Sequence, residues 1–355
     1  MKGWRSFLAV LLGIGAASLL IFSGEAAHAA REGARLAFSS VLPSLFPFLV
    51  ASQLLISLRI THAAGKSFGV VMPFLFRQPR ESASVLLLGL LSGYPVGAAA
   101  VRSLYEEGGC SAEQAERLVA LCNNSGPAFV VGVIGTALWG NAKLGVMLYL
   151  CHAAAAILSG MLLGIGCPPV IEEKAPSPAE SPSFFPAFVR AVKASALTSL
   201  DIAAFIIFFS VVLALLPAAN TLFGRLAAGM LELTNGVQLL RTAEVTVPVR
   251  LALQSFLLGL SGFSVLCQVA GVLEGSGLSL RPYLYGKLLQ GAIALLLTLL
   301  CTSLFPQEIG AMLPLTPALP LPAFTLLTGL LLDSLLLWLG AMLLFSALSE
   351  IRHGK

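Results

Sequence analysis

The residues of this chain best suited to chemistry lie inside or beside apolar runs. Ser92, Gly93, Tyr94 and Pro95 interrupt one run, and Asn123, Asn124, Ser125, Gly126 and Pro127 separate two others. Two adjacent amides supply both donors and acceptors. A helix beginning at Pro127 presents free backbone N–H groups, which attract anions. Glu232, Thr234, Asn235 and Gly236 make a similar cluster further on, and Ser261 and Gln268 lie within another apolar stretch. As one set these residues would line a shared cavity for a small solute; the alternative is interhelical hydrogen bonding, a common use of such side chains in membranes. The chain holds two aspartates, Asp201 and Asp333, both within apolar segments. A carboxylate there needs solvent or a partner, so both are candidate ion-coupling residues, with an acid at a helix end or paired to a neighbouring helix as the alternative. His152 reads as a packing residue.

Catalytic chemistry finds little support. There is no Gly-rich phosphate loop and no His-x-x-x-His pair. Asp333 stands in Leu-Leu-Leu-Asp-Ser, not in the Gly-x-Gly-Asp setting of intramembrane aspartyl proteases. The expectation is therefore no enzyme, no catalytic residue, no metal and no cofactor. The six cysteines (Cys110, Cys122, Cys151, Cys167, Cys267 and Cys301) have neither metal-like nor disulfide-like spacing and read as small packing residues. Without an ATP-binding motif, any energy for transport comes from a gradient or a separate subunit.

The elements that position these residues follow from composition. Of 355 residues, 57% are hydrophobic and 11% charged, and mean hydropathy is +0.91. Soluble domains carry about 25% charged residues. Lipid, not water, is the solvent in which so much apolar surface can face outward. The expected fold class is all-α, a polytopic integral membrane protein with two repeated halves and discontinuous or re-entrant helices. Apolar segments run over 6–22, 41–58, 83–104, 127–138, 143–166, 196–216, 250–273, 284–305 and 321–348. Pro43 and Pro47 interrupt the second of these. In hydrocarbon such interruptions survive where protein or a water-filled cavity satisfies the freed backbone groups, and broken spans point to a solute pathway.

Lys2 and Arg5 precede an apolar run ending at Phe22, and Ala27-His28-Ala29 would suit a signal peptidase; an uncleaved first helix is the preferred reading because apolar spans continue through the chain. Amphipathic stretches over 26–38 and 220–234 suit interfacial helices or re-entrant elements. Arg59, Lys66, Arg77 and Arg80 favour a cytoplasmic 59–80 connection, while Arg190 and Lys193 mark another. A net charge of +4 without a basic cluster argues against nucleic acid. The polar, Pro-rich segment 168–183 is a linker near the centre of the chain. Placing 92–96 over 261–265 makes the halves resemble each other. The expected division is an N-terminal helix and amphipathic segment over 1–38, a first repeat over 39–167, the linker 168–183, a second repeat over 184–308 and a C-terminal helix and tail over 309–355. Whether 111–138 folds back or spans decides the relative direction of the repeats.

At these same residues the sequence resembles a known family. Leu91-Ser-Gly-Tyr-Pro-Val-Gly-Ala98 is similar to the Ser-Gly-Tyr-Pro-x-Gly-Ala motif of nucleoside-recognition ("Gate") domain proteins, and more narrowly of the YlbJ-type sporulation integral membrane proteins. Asn123-Asn-Ser-Gly-Pro-Ala-Phe129, Leu231-Glu-Leu-Thr-Asn-Gly236, Ser261-Gly-Phe-Ser-Val-Leu-Cys-Gln268 and Pro43-Ser-Leu-Phe-Pro-Phe48 resemble further segments of that family in the same order. The resemblance implies a multi-pass protein of the cytoplasmic membrane that moves a small anionic or nucleoside-like solute, dipicolinate in the YlbJ-type group. The alternative is a non-transporting scaffold or regulator in spore envelope assembly. The expected partners are a small-molecule solute, the lipid bilayer and, in a homo-oligomer, further copies of the chain. On the sequence alone, Asn124→Ala should abolish solute movement while the protein still reaches the membrane, a result readable by uptake assay beside membrane immunoblotting.

Overall fold

The computed structural model describes residues 2–58, 69–170, 183–216 and 221–306. Asp333, the 309–355 segment, most of the 168–183 linker and part of the 59–80 connection lie outside the described residues. The protein is an all-α polytopic membrane protein. Its helices are α1 (Lys2–Ile21), α2 (Ser23–Leu36), α3 (Leu42–Ser57), α4 (Ser82–Ser92), α5 (Val96–Glu106), α6 (Ala112–Cys122), α7 (Ala142–Gly164), α8 (Phe184–Ala214), α9 (Leu222–Leu231), α10 (Leu233–Arg241), α11 (Val247–Leu260), α12 (Gly262–Leu273) and α13 (Arg281–Leu304). A π-helical segment, Ala128–Leu138, stands between α6 and α7. Among the described residues, five stretches are long and apolar enough to cross a membrane: Ser23–Ser57, Ala142–Gly164, Phe184–Ala214, Val247–Leu273 and Arg281–Leu304. Large apolar side chains such as Phe185, Leu197 and Leu296 are at least 63% exposed on their outer faces, as lipid permits and water does not.

Local chemistry sets where the elements begin. Ser111 and Gln114 form a capping box at α6: the Gln114 N–H donates to Ser111 Oγ at 3.3 Å and the Ser111 N–H to Gln114 Oε1 at 2.8 Å. Asn141 Oδ1 accepts from the Lys143 and Leu144 N–H groups to start α7. Thr221 Oγ1 accepts the Gly224 N–H to start α9.

Two expectations are corrected here. The amphipathic 26–38 stretch is not a separate helix; it runs through a π turn at Ala37–Val41 into the apolar α3, so that Ser23–Ser57 is one continuous helix across the expected boundary at 38/39. Pro43 and Pro47 do not break it. Both lie inside the continuous helix, Pro43 just after the π turn at Ala37–Val41 and Pro47 one turn further on.

The order of elements is then the same twice: a long helix (α3 or α8), a helical hairpin (α4–α5 or α9–α10), a helix broken in the middle (α6 with Ala128–Leu138, or α11–α12) and a long helix (α7 or α13). The hairpin arms pack on each other, whereas the two arms of each broken helix make almost no mutual contact. This order sets 82–106 opposite 222–241 and 112–138 opposite 247–273. The sequence register that lays 92–96 over 261–265 instead pairs a hairpin tip with a helix break. Both are Ser-Gly turns in apolar surroundings, so local composition makes them look alike.

Glycine permits the closest approaches. A Cβ on Gly89 or Gly97 of the first hairpin would overlap the Cys122 carbonyl at the end of α6, and one on Gly236 would overlap the Gly229 backbone across the second hairpin. Gly259 of α11 meets the Gly291 backbone of α13 in the same way. Such small residues let helix backbones touch in lipid. Gly89→Ala or Gly236→Ala should therefore lower stability by about 1–3 kcal/mol through overpacking, seen as a lower melting temperature of the detergent-purified protein. Gly271→Ala, which meets nothing within 4 Å, should leave it unchanged.

Candidate solute cavity at two helix breaks

Each hairpin tip meets the break of the following helix. At the first junction, Gly93 packs against Gly126, where an added Cβ would stand 3.1 Å from the Gly126 nitrogen. Gly93 needs its freedom for a second reason, a φ of +85°. At the second junction, Gly262 packs against the Gly229 carbonyl and the Leu233 nitrogen at the tip between α9 and α10. Ser261 there adopts a left-handed φ of +74°, uncommon for a residue with a side chain. The two junctions also touch each other through Tyr94. Its hydroxyl hydrogen-bonds Ser125 Oγ at the first break and donates to the Leu258 carbonyl at 3.2 Å, beside the second. Ser261 lies close to both Tyr94 and Tyr283.

Between the junctions is a narrow cavity of about 50 Å³. Ser92, Gly93, Tyr94 and Ser125 line it from the first half, and Glu232, Thr234 and Gln268 from the second. Ser264 and Val265 of α12, with Phe129, Ile202 and Ile206, complete most of the remaining wall. Seven of the thirteen pathway residues marked in the sequence thus face one space. Pro95, Asn123, Asn124, Pro127, Asn235 and Ser261 do not line it; they build the tips and breaks around it. Asp201 takes no part. It lies exposed on the outer face of α8, alongside exposed Leu197, Leu200 and Phe208.

Glu232 is held in place rather than left free. It is the N-cap of α10, accepting from the Thr234 N–H at 3.0 Å, the Asn235 N–H at 2.7 Å and Asn235 Nδ2 at 2.9 Å. A carboxylate at a helix N-terminus is favoured by the helix dipole. By contrast, α12 and the Ala128–Leu138 segment start without a side-chain cap, and their first turns help to line the cavity.

Behind the first break is a buried polar network that sequence reasoning missed. The Ser125 N–H, freed by the break, donates to His152 Nε2 at 3.2 Å. The Asn123 amide donates to the Tyr283 hydroxyl at 3.1 Å. Asn124 Oδ1 accepts from both Lys287 Nζ at 3.1 Å and Gln290 Nε2 at 3.0 Å. Lys287 also donates to Gln290 Oε1 at 2.7 Å. A lysine inside a membrane helix is costly and rare; that rarity, two turns into α13, was the available signal for Lys287. His152, read as packing, carries a backbone hydrogen bond. The cysteines are free thiols; Cys151 and Cys301 approach to 3.7 Å between sulfurs. Among the described residues no cluster of three or more metal-ligating side chains occurs.

The geometry distinguishes wall from scaffold. In a background without the native cysteines, Gln268→Cys, on the half-buried part of the wall, should react with a small hydrophilic thiol reagent from one side of the membrane, whereas Asn123→Cys, fully buried behind the break, should not.

Comparison with known proteins yields one informative match. The sporulation integral membrane protein YlbJ of Bacillus subtilis (strain 168) is 31% identical over 312 residues, covering 77% of this chain and 76% of the relative. No protein-family profile matches the chain, and no solved structure resembles it.

Proposed function

Because the chain belongs to the family of the sporulation integral membrane protein YlbJ, we propose that it is a transporter that moves a small polar solute across the cytoplasmic membrane. The observation that carries this reading is the cavity held between two hairpin tips and two helix breaks. Interrupted helices at the interface of duplicated halves are how many secondary transporters build a binding site. Counted among the described residues from α3, with hairpins that return to the side they enter from and 112–138 crossing as its counterpart 247–273 does, three crossings precede α8, and the two halves then run in opposite directions. The gate is then a relative movement of the tip–break junctions, each closed by glycine backbones and joined to the other through Tyr94 and Tyr283.

The wall suits a compact ring-bearing solute. Tyr94 and Phe129 offer aromatic faces; Ser92, Ser125, Thr234, Ser264 and Gln268 offer hydrogen bonds. The uncapped first turns of α12 and Ala128–Leu138 favour negatively charged groups, whereas the carboxylate of Glu232 is already engaged by three N–H donors. An aromatic dicarboxylate such as dipicolinate fits this pattern, and a nucleoside is the second candidate. A scaffolding role in spore envelope assembly is the competing reading; the exposed Asp201 on a lipid-facing stripe favours it, since an acid there calls for a partner in the membrane.

Ligand-dependent melting of the detergent-purified protein separates these readings. A ligand bound only by the folded state adds about 2.7 kcal/mol of stability at a hundred times its dissociation constant. Dipicolinate should raise the melting temperature saturably, and Ser125→Val with Gln268→Leu should remove that rise. A flat response to dipicolinate, nucleosides and simple dicarboxylates alike would favour the scaffold.

A further inference from the structure

Lys287 is the one lysine or arginine that is fully buried among the described residues, with 1% of its surface exposed. It lies within α13, a membrane-crossing helix. No carboxylate among the described residues hydrogen-bonds or ion-pairs with it. Its ammonium instead faces neutral oxygens, Asn124 Oδ1 at 3.1 Å and Gln290 Oε1 at 2.7 Å, and stands 5.7 Å from the centre of the Tyr283 ring. One residue away, Asn123 Oδ1 is buried with no hydrogen-bond partner. The remaining titratable groups near this end of α6 are Cys122 and His152, neither of them acidic partners.

A set of amide oxygens at the end of a broken helix is a hard-cation environment. Oxygen ligands suit alkali and alkaline-earth ions. The C-terminal end of α6 carries partial negative charge, and half-helix C-termini at breaks are where transporters hold coupling ions such as Na⁺. Here the charge is supplied by the chain itself, as a compact ammonium on a four-carbon stem.

We propose that the Lys287 ammonium is a resident cation at the first break, filling a position that Asn124 Oδ1 and Gln290 Oε1 would otherwise offer to a monovalent metal ion. The break and the cavity in front of it are therefore organised without an exchangeable ion, and solute loading does not depend on Na⁺. The inference deepens the transporter reading, yet its test needs no solute and so stands or falls separately from it.

The test is thermal melting of the full-length protein in detergent, in NaCl, LiCl or choline chloride at matched ionic strength. Wild type should melt within about 1 °C in all three, because nothing specific binds. Lys287→Met should melt lower in choline chloride and recover saturably with NaCl or LiCl, as a vacated oxygen cage takes up the ion. Lys287→Ser, which leaves more room for an ion and a water, is the second variant should Met prevent folding. A saturable, Na⁺-specific rise in wild type would overturn the proposal, as would variants whose melting is indifferent to the cation. The wild-type arm decides on its own if neither variant can be purified.

Discussion

A helix broken inside a membrane frees backbone donors and acceptors that lipid cannot satisfy, and each such group left unpaired costs several kcal/mol. This constraint organises the structure. At the first break the Ser125 N–H goes to His152, and the tip of the α4–α5 hairpin closes against Gly126. At the second, the α9–α10 tip closes against Gly262. Many of the partners come from the opposite half of the chain: Tyr283, Lys287 and Gln290 serve Asn123 and Asn124, Gln254 accepts from Trp139 Nε1 at 2.9 Å, and Arg102 donates to the Val272 and Glu274 carbonyls. The halves are thereby fastened to each other at the first break and along the helices beside both breaks.

The same arrangement divides the site into a front and a back. In front, hydroxyls, an amide and uncapped helix starts face an open space; behind, a dense and fully buried network holds Asn124 still. Front groups can exchange partners with water or a solute at little cost. Back groups cannot, because an unpaired ammonium or amide in a low-dielectric interior is penalised heavily. A solute therefore meets a wall whose geometry is fixed from the side it does not touch.

Much of this was legible in the sequence. Ser92 to Pro95, Asn123 to Pro127, Glu232 and Ser261 announced themselves because glycine, proline and amides are out of place in an apolar run. What was not legible is which interruption turns the chain back and which lets it run on, since both use small polar residues and differ only in what packs against them. The prolines at 43 and 47 look equally disruptive, yet the helix runs on through both, with a π turn just before the first. Lys287 was overlooked because one cation inside α13 leaves the helix apolar on average; its meaning depends on Asn124, 163 positions away. Asp201 carried the expectation of a coupling ion by residue type alone, and its outward direction on α8 is a tertiary fact.

The most direct test of the account is flux. Purified protein reconstituted into liposomes should take up labelled dipicolinate saturably, above the rate of protein-free liposomes, and Gln268→Leu should lose that uptake while melting like the wild type. Uptake no faster than in protein-free liposomes, from protein whose cavity residues still react with hydrophilic thiol reagents after conversion to cysteine, would contradict the assignment of this cavity to solute movement.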